Sequence, residues 1–318
     1  MNDELKFTVI SDTHYYSKKN FVDGFDKNKK PKPGQLFFSR SEEIVEHTFD
    51  CLCKNDTPDI VLISGDLTYN GERTSHDEMK AALKKLQQKG KRVYVITATH
   101  DYTTPRMPTY GIDKNDKYIE VESVKRTQLL KYYGDFGYNN AIAKHKSTMS
   151  YVAQLADGYR LFALNDDYGD PDCGFSDELM NWVKTEANNA KRDGQYIIAM
   201  THHPLVPPSP IYAAVAKGDM LNDYELRRKQ LSDLGFDFVL TGHTHMHNIS
   251  YCKIGNKKFY DISTAALTGF PPYYRQIVLN KEQKKAEIKT ICADCADSID
   301  TNGLALEEYT KDLFLGVV

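Results

Sequence analysis

The chain has 318 residues, of which 41% are hydrophobic and 27% charged, ordinary globular usage that excludes disordered and fibrous classes. Its 41 Lys and Arg stand against 44 Asp and Glu, a formal charge of -3, so no global positive field exists to hold nucleic acid or an anionic membrane surface. No stretch reaches the roughly 20 apolar residues of a transmembrane segment, and six cysteines are too sparse for a disulfide-built scaffold. One large α/β domain over 1–318 fits this length. A cytoplasmic location is favoured for the chain as given, with export after removal of a leader as the alternative.

In chain order, residues 5–11 alternate and then run apolar, a strand that ends at Ser11-Asp12. Ser39 and Glu42 form a capping-box pattern before a stripe of Ile44, Val45, Thr48, Phe49 and Leu52, which predicts a helix. Residues 59–64 form a short apolar run, a strand buried on both faces, and stop at Gly65-Asp66. Ser75 and Glu78 repeat the capping pattern ahead of Met79, Ala82, Leu83 and Leu86, with Gly90 as the stop. A strand at 92–97 delivers the chain to Thr99-His100-Asp101. This alternation predicts a parallel or mixed sheet whose strand C-termini gather along one edge.

Residues 102–147 break the rhythm with Pro105, Pro108, Gly111 and six tyrosines, and read as an insertion carrying one helix near 121–133. Strands follow at 148–155 and 158–165, joined by a hairpin at Ala156-Asp157-Gly158. Next come a helix capped by Ser176, a strand at 195–201 ending in His202, a helix near 220–234 and a strand at 236–241 ending in Gly242-His243. From about 247 the chain is β-rich, with strands at 247–254, 257–262, 274–280 and 285–291. Cys292 and Cys295 form a lone C-x-x-C with no second pair, which favours two ordinary cysteines or a disulfide over a zinc site.

Five predicted strands thus end in short polar clusters: Asp12-Thr13-His14, Gly65-Asp66, Thr99-His100-Asp101, His202-His203-Pro204 and Gly242-His243-Thr244-His245. Each alone is an ordinary turn, helix cap or solvated alternation. Together, at strand ends that share an edge, they converge as a mixed nitrogen and oxygen cage for Zn, Mn or Fe. The ligands outnumber one tetrahedral shell, which favours two divalent or trivalent ions.

These motifs, in this order across residues 7–246, resemble the calcineurin-like metallophosphoesterase superfamily, whose pattern is D-x-H, G-D, G-N-H-[DE], a later His and G-H-x-H. The resemblance implies a four-layer αββα sandwich of two mixed sheets flanked by helices, with the metal site at the strand C-termini. It implies that Asp12, His14 and His245 bind one metal, that Asp66 bridges, and that His202 and His243 bind the second. His100 would lie beside the substrate phosphate, steadying charge on its oxygens or protonating the leaving alkoxide. The implied reaction is in-line attack of a metal-generated hydroxide on a phosphodiester or phosphomonoester.

One position departs from the family. Thr99 stands where the family has Asn, and Ala98 where it usually has Gly, so a shorter and weaker donor faces the second metal. His202 is the expected ligand because it fits H-x-P, with His203 turned to substrate; Asp101 is expected either to orient His100 or to cap a helix. Tyr15, Tyr273 and Arg275 follow metal motifs and are expected on the rim with the Tyr-rich insertion, where aromatic loops either stack a planar leaving group or pack on one another.

The expected partner is a small phosphate ester, with the diester slightly favoured. The alternatives are a protein phosphatase, a nuclease, or a non-catalytic binding protein on the same fold with Thr99 as its first sign of decay. Lys27 to Lys32 is the one small basic run near the motifs, and nothing specifies an oligomeric state.

Overall fold

The computed structural model describes residues 4–26, 29, 31–54, 56–167, 173–294 and 299–316. In chain order it forms β1 (Glu4–Ile10), α1 (Ser41–Leu52), β2 (Ile60–Ser64), α2 (Arg73–Gln88) and β3 (Arg92–Ile96). There follow β4 (Gly111–Ile112), β5 (Tyr118–Ile119), α3 (Leu129–Tyr133), β6 (Ala143–His145), β7 (Ser150–Ala156) and β8 (Tyr159–Ala163). The second half adds α4 (Asp177–Arg192), β9 (Tyr196–Met200), α5 (Pro210–Val215), α6 (Tyr224–Leu234) and β10 (Phe238–Thr241). It closes with β11 (Asn248–Ile254), β12 (Lys257–Ser263), β13 (Tyr273–Asn280), β14 (Lys285–Cys292) and α7 (Leu306–Leu315).

Two mixed sheets result. One runs β14-β13-β1-β2-β3 and the other β11-β12-β10-β9-β8-β7-β6, while β4 and β5 form a separate ribbon. In the first, β1, β2 and β3 are parallel, and in the second β8, β9, β10 and β12 are parallel.

The period of two along each strand sorts side chains between two cores. Ile60 and Leu62 of β2 join Leu5, Phe7, Leu161, Ile198 and Leu240 in the space between the sheets. Val61 and Ile63 turn the other way, against Ile44 and Phe49 of α1, Met79 and Leu83 of α2, and Leu306 and Leu313 of α7. Beyond the larger sheet, α4 and α6 close a third core with Leu179, Val183 and Leu231. The layers are therefore helix, sheet, sheet, helix, the αββα order the family resemblance implied. Among the described residues, no helix is long and apolar enough to cross a membrane.

Several local expectations change. The β-rich tail divides between the sheets: β11 and β12 extend the larger, whereas β13 pairs antiparallel with β1 and carries β14 into the smaller. The reason is burial, because Ile277 and Leu279 of β13 face the same intersheet core as Phe7 and Leu5. The two predicted capping boxes are not used. α1 starts at Ser41 and α2 at Arg73; Ser39 lies in a 3-10 turn that runs into α1, and Ser75, already inside α2, serves a tertiary contact, as Ser41 does. Ser41 Oγ accepts from the Tyr16 amide at 2.8 Å and Ser75 Oγ from the Ser17 amide at 3.1 Å, which pins the loop that leaves β1. Ser176 does cap α4, accepting from the Leu179 amide at 3.1 Å.

The helix expected at 121–133 shrinks to the five residues of α3 after one 3-10 turn. Tyr102, Tyr132 and Tyr133 of this region are buried in the helix-side core. The short α5 and the C-terminal α7 carry no signal that the motif reading used. Of the C-x-x-C pair, Cys292 ends β14 and Cys295 lies outside the described residues.

Candidate metal centre

The five polar clusters follow β1, β2, β3, β9 and β10, all parallel strands, so their loops leave the sheets at one edge. These loops turn sharply. Asp12 (φ 49°), His14 (φ 37°), Asp66 (φ 49°), His243 (φ 65°) and His245 (φ 55°) all adopt the left-handed backbone region. Each such non-glycine residue costs about 1 kcal/mol and is retained only where surrounding contacts over-determine it.

Those contacts are visible. The His14 amide donates to Asp66 O at 3.0 Å, the Gly242 amide to His202 O at 3.0 Å, and the His243 amide crosses between sheets to the Asp12 carboxylate at 3.0 Å. The approach of the loops explains both motif glycines. A Cβ on Gly242 would collide with Ser11 Oγ and Asp12 Oδ2, and one on Gly65 (φ 102°) would sit 2.7 Å from His202 Nδ1 and 2.8 Å from the Ala98 methyl.

The side chains converge in three overlapping triads, Asp12-His14-His245, His14-Asp66-His100 and Asp66-His202-His243, with the potential ligand atoms of each triad within 4.8 Å of one another. Asp66 shares two of them, lying 3.8 Å from His14 Nε2 and 3.1 Å from His202 Nε2. His14 Nε2 and His245 Nε2 face each other at 3.1 Å, and His245 Nε2 lies 3.4 Å from Asp12 Oδ1. His202 places Nδ1 against Ser64 O at 2.8 Å, which makes Nδ1 the donor and turns Nε2 toward Asp66.

The donor set fits cations. Asp12 and Asp66 are fully buried, yet both carboxyls are held below the ordinary range: burial pushes them up, and the histidines around them pull them further down. His14 is pushed down to about 3 by burial, reinforced by His100, and His243 is lowered well below its usual value by burial and by His203 and His202. His202 alone is raised, because attraction to Asp66 and Asp12 exceeds the burial that lowers it. Two buried carboxylates thus lie among imidazoles whose ring nitrogens face inward, and His202 Nε2 makes no aligned hydrogen bond. Neutral imidazole and carboxylate are the ligand forms that transition metals require, and uncompensated buried charge is costly without them.

His100 sits at the edge of this group. Its ring is 4.8 Å from that of His14, its amide donates to Asp66 Oδ1 at 3.0 Å, and its Nδ1 lies 2.6 Å from Tyr69 O and 2.9 Å from Asn70 Oδ1. These partners orient the ring. Asp101 does not: its carboxylate accepts from the amides of Ala98 at 2.8 Å and Thr68 at 2.9 Å, the capping alternative, and burial together with Asp66 raises it to about 8. Thr99 and His203 line, with His100 and His243, a cleft of about 530 Å³.

Three expected rim residues lie elsewhere. Tyr15 is 1% exposed and its hydroxyl points into the helix layer, 3.4 Å from Glu78 and 3.5 Å from Glu46. Tyr273 donates to Glu307 of α7. Arg275 is 3% exposed and donates to Ser263 O at 2.7 Å and Asn248 O at 3.1 Å, tying the two sheets together. Residues 273–275 belong to β13, a core strand, so they could not form the rim loop that their place after the last motif suggested.

Sequence reasoning missed the residues that hold the ligands. Asp166 accepts from the amides of His202 at 3.2 Å and His203 at 2.7 Å and from Thr201 Oγ1 at 2.9 Å; it also lies 3.2 Å from His203 Nδ1. Asp261 accepts from the amides of Leu205 at 2.6 Å and Val206 at 3.0 Å. A signal existed for the first: Asn165-Asp166-Asp167 follows β8, a strand parallel to β9, and is a sixth polar cluster at a strand end.

A sequence profile described as calcineurin-like phosphoesterase matches residues 5–247, a span that contains all five clusters. A search of curated proteins finds no match. Among solved structures, a dimetal phosphatase from Danio rerio superposes with a TM-score of 0.57 at 12% identity, covering 91% of this chain and 99% of that one. A purple acid phosphatase from yellow lupin (Lupinus luteus) seeds gives a TM-score of 0.60 at 12% identity, covering 91% of this chain and 52% of that one. Likeness at this identity shows a common fold, and the profile match carries the assignment: the chain belongs to the calcineurin-like phosphoesterase family.

Proposed function

We propose that this chain is a binuclear metal-dependent phosphoesterase acting on a small phosphate ester. The observation that carries the reading is the shared position of Asp66 between two triads of buried, inward-facing ligands. In this reading Asp12, His14 and His245 would hold one ion and His202 and His243 the other, with Asp66 available to both. The mixed nitrogen and oxygen donors suit Mn, Fe or Zn. When bound, such a pair supplies positive charge for phosphoryl oxygens and lowers the pKa of a coordinated water.

The chain's own residues do the remaining work. His100, anchored through Nδ1 on Tyr69 O, presents Nε2 toward the ligand group and carries a proton there to the leaving oxygen. Asp166 holds His203 in the cleft, where the imidazole meets the ester on the side of His243. Thr99 offers a hydroxyl from the same wall, a shorter reach than the Asn it replaces, so the second ion binds the more weakly of the two.

Elemental analysis of freshly purified protein, joined to a panel of chromogenic mono- and diesters with added Mn, tests the proposal. Close to two metals per chain and hydrolysis within the panel are expected. Protein that takes up no metal and cleaves nothing would replace this reading with a binding function on the same fold.

A further inference from the structure

Beside the metal ligands lies a second, separate cavity of about 260 Å³. It is enclosed where the loop after β1 meets the β4–β5 ribbon, with Phe21 bridged to Ile112. Phe21, Phe25, Phe38, Tyr69, Tyr110 and Tyr118 give it aromatic walls, interrupted by charged residues of both signs. Phe38 and Tyr69 are 5.0 Å apart and inclined by 30°, and Tyr110 and Tyr118 are 4.1 Å apart and inclined by 34°. Tyr69 belongs to both neighbourhoods, since its ring is 6.3 Å from that of His14 and 6.5 Å from that of His100, while its carbonyl holds His100 Nδ1.

We propose that this cavity takes an uncharged planar ring on the organic side of the ester, which makes the substrate a phosphate ester of a nucleoside or aryl group. The inference rests on the phosphoesterase reading and adds the substrate class. Flat, polarisable walls on several sides favour a stacked ring over a branched or polyhydroxylated group. The volume lies under the roughly 300 Å³ at which pockets begin to hold whole drug-sized ligands, so one ring system fills it.

Charge argues against a second anion. Lys29 and Lys32 lie 2.6 and 3.8 Å from the same Asp116, Arg40 is paired with Glu43 at 3.1 Å, and the fourth cation, Lys114, shares the lining with Asp23, Asp26 and Asp113, so the wall carries no excess of positive charge. The Arg40 guanidinium also covers the Phe25 ring at 4.9 Å and stiffens that wall. The anionic part of the ester is then left to the candidate metal centre, on the far side of Tyr69.

The test uses metal-loaded full chain on adenosine 5′-monophosphate, phenyl phosphate and glycerol phosphate, with Phe25→Ala and Tyr118→Ala. Tyr118 is 67% exposed, so its truncation does not endanger folding. The ratio of kcat/KM on either ring ester to that on glycerol phosphate should favour the ring in the native chain and fall about tenfold in each variant. Whichever ring ester leads identifies a nucleobase or a simple aryl occupant. A ratio that neither favours the ring nor changes in the variants overturns the proposal. Calorimetry with adenosine and with phenol, neither carrying phosphate, separates the two layers. Ring binding that is lost in Phe25→Ala upholds the cavity even if no ester is cleaved, whereas esters cleaved without ring binding leave the phosphoesterase reading standing and refute this one.

Discussion

The two sheets meet at one edge but contribute unlike chemistry. The smaller sends Asp12, His14, Asp66 and His100 into the centre; the larger sends His202, His203, His243 and His245, imidazoles alone. The larger sheet has buried acids too, yet Asp166 and Asp261 spend their oxygens on backbone amides of the loop after β9. Both candidate carboxylate ligands therefore come from one side, and the other contributes imidazoles. Charge is gathered on Asp12 and Asp66, where cations can answer it, and the remaining carboxylates stabilise backbone conformation.

Mutations across this divide should separate ligands from framework. Asp66→Asn removes the shared anion and is expected to release both ions and abolish ester hydrolysis; a variant that keeps its full metal content by elemental analysis would break the comparison. His100→Ala should lower kcat by about 10²- to 10⁴-fold with metal content retained, the signature of a proton-transfer residue outside the ligand shell. Asp166→Ala, on the framework side, should weaken metal affinity by about 10- to 100-fold through loss of His202 and His203 placement, read by titration with Mn.

Smaller effects test the framework itself. Burial raises the Asp261 carboxyl from 3.8 to about 6, a net shift upward despite donors from Thr241, Leu205 and Val206. The folded state then binds this proton more tightly than the unfolded chain, so stability falls as pH rises from about 4 to about 6, by about 3 kcal/mol. Asp261→Asn should remove that slope, measured by denaturant unfolding across the window. Tyr273→Phe should change kcat/KM by no more than about twofold, since its hydroxyl serves α7 and not the centre. A large loss would restore it to the rim.

The short apolar runs before Asp12, Asp66 and His202 were legible because a strand buried on both faces leaves a continuous hydrophobic signature and the polar residues after it mark the edge. The capping boxes at Ser39 and Ser75 misled for different reasons: Ser39 lies in a 3-10 turn that runs into α1, and the Ser75 hydroxyl accepts from a tertiary amide, a use that nothing local distinguishes from a helix start. Tyr15 and Arg275 misled for a related reason: adjacency to a motif in sequence says nothing about which face of a strand or loop a side chain takes.

By itself the sequence determined which residue types end the strands and in what order, and so the candidate ligands of the centre, because binary patterning and motif spacing are local properties. The tertiary structure alone decided that β13 crosses to pair with β1, that Asp166 and Asp261 support the loops from outside, and that Tyr69 joins the histidines to an aromatic cavity. Each of those depends on contacts between distant segments, whose partners are chosen by burial and hydrogen-bond satisfaction over the whole molecule, not by any neighbour in the chain.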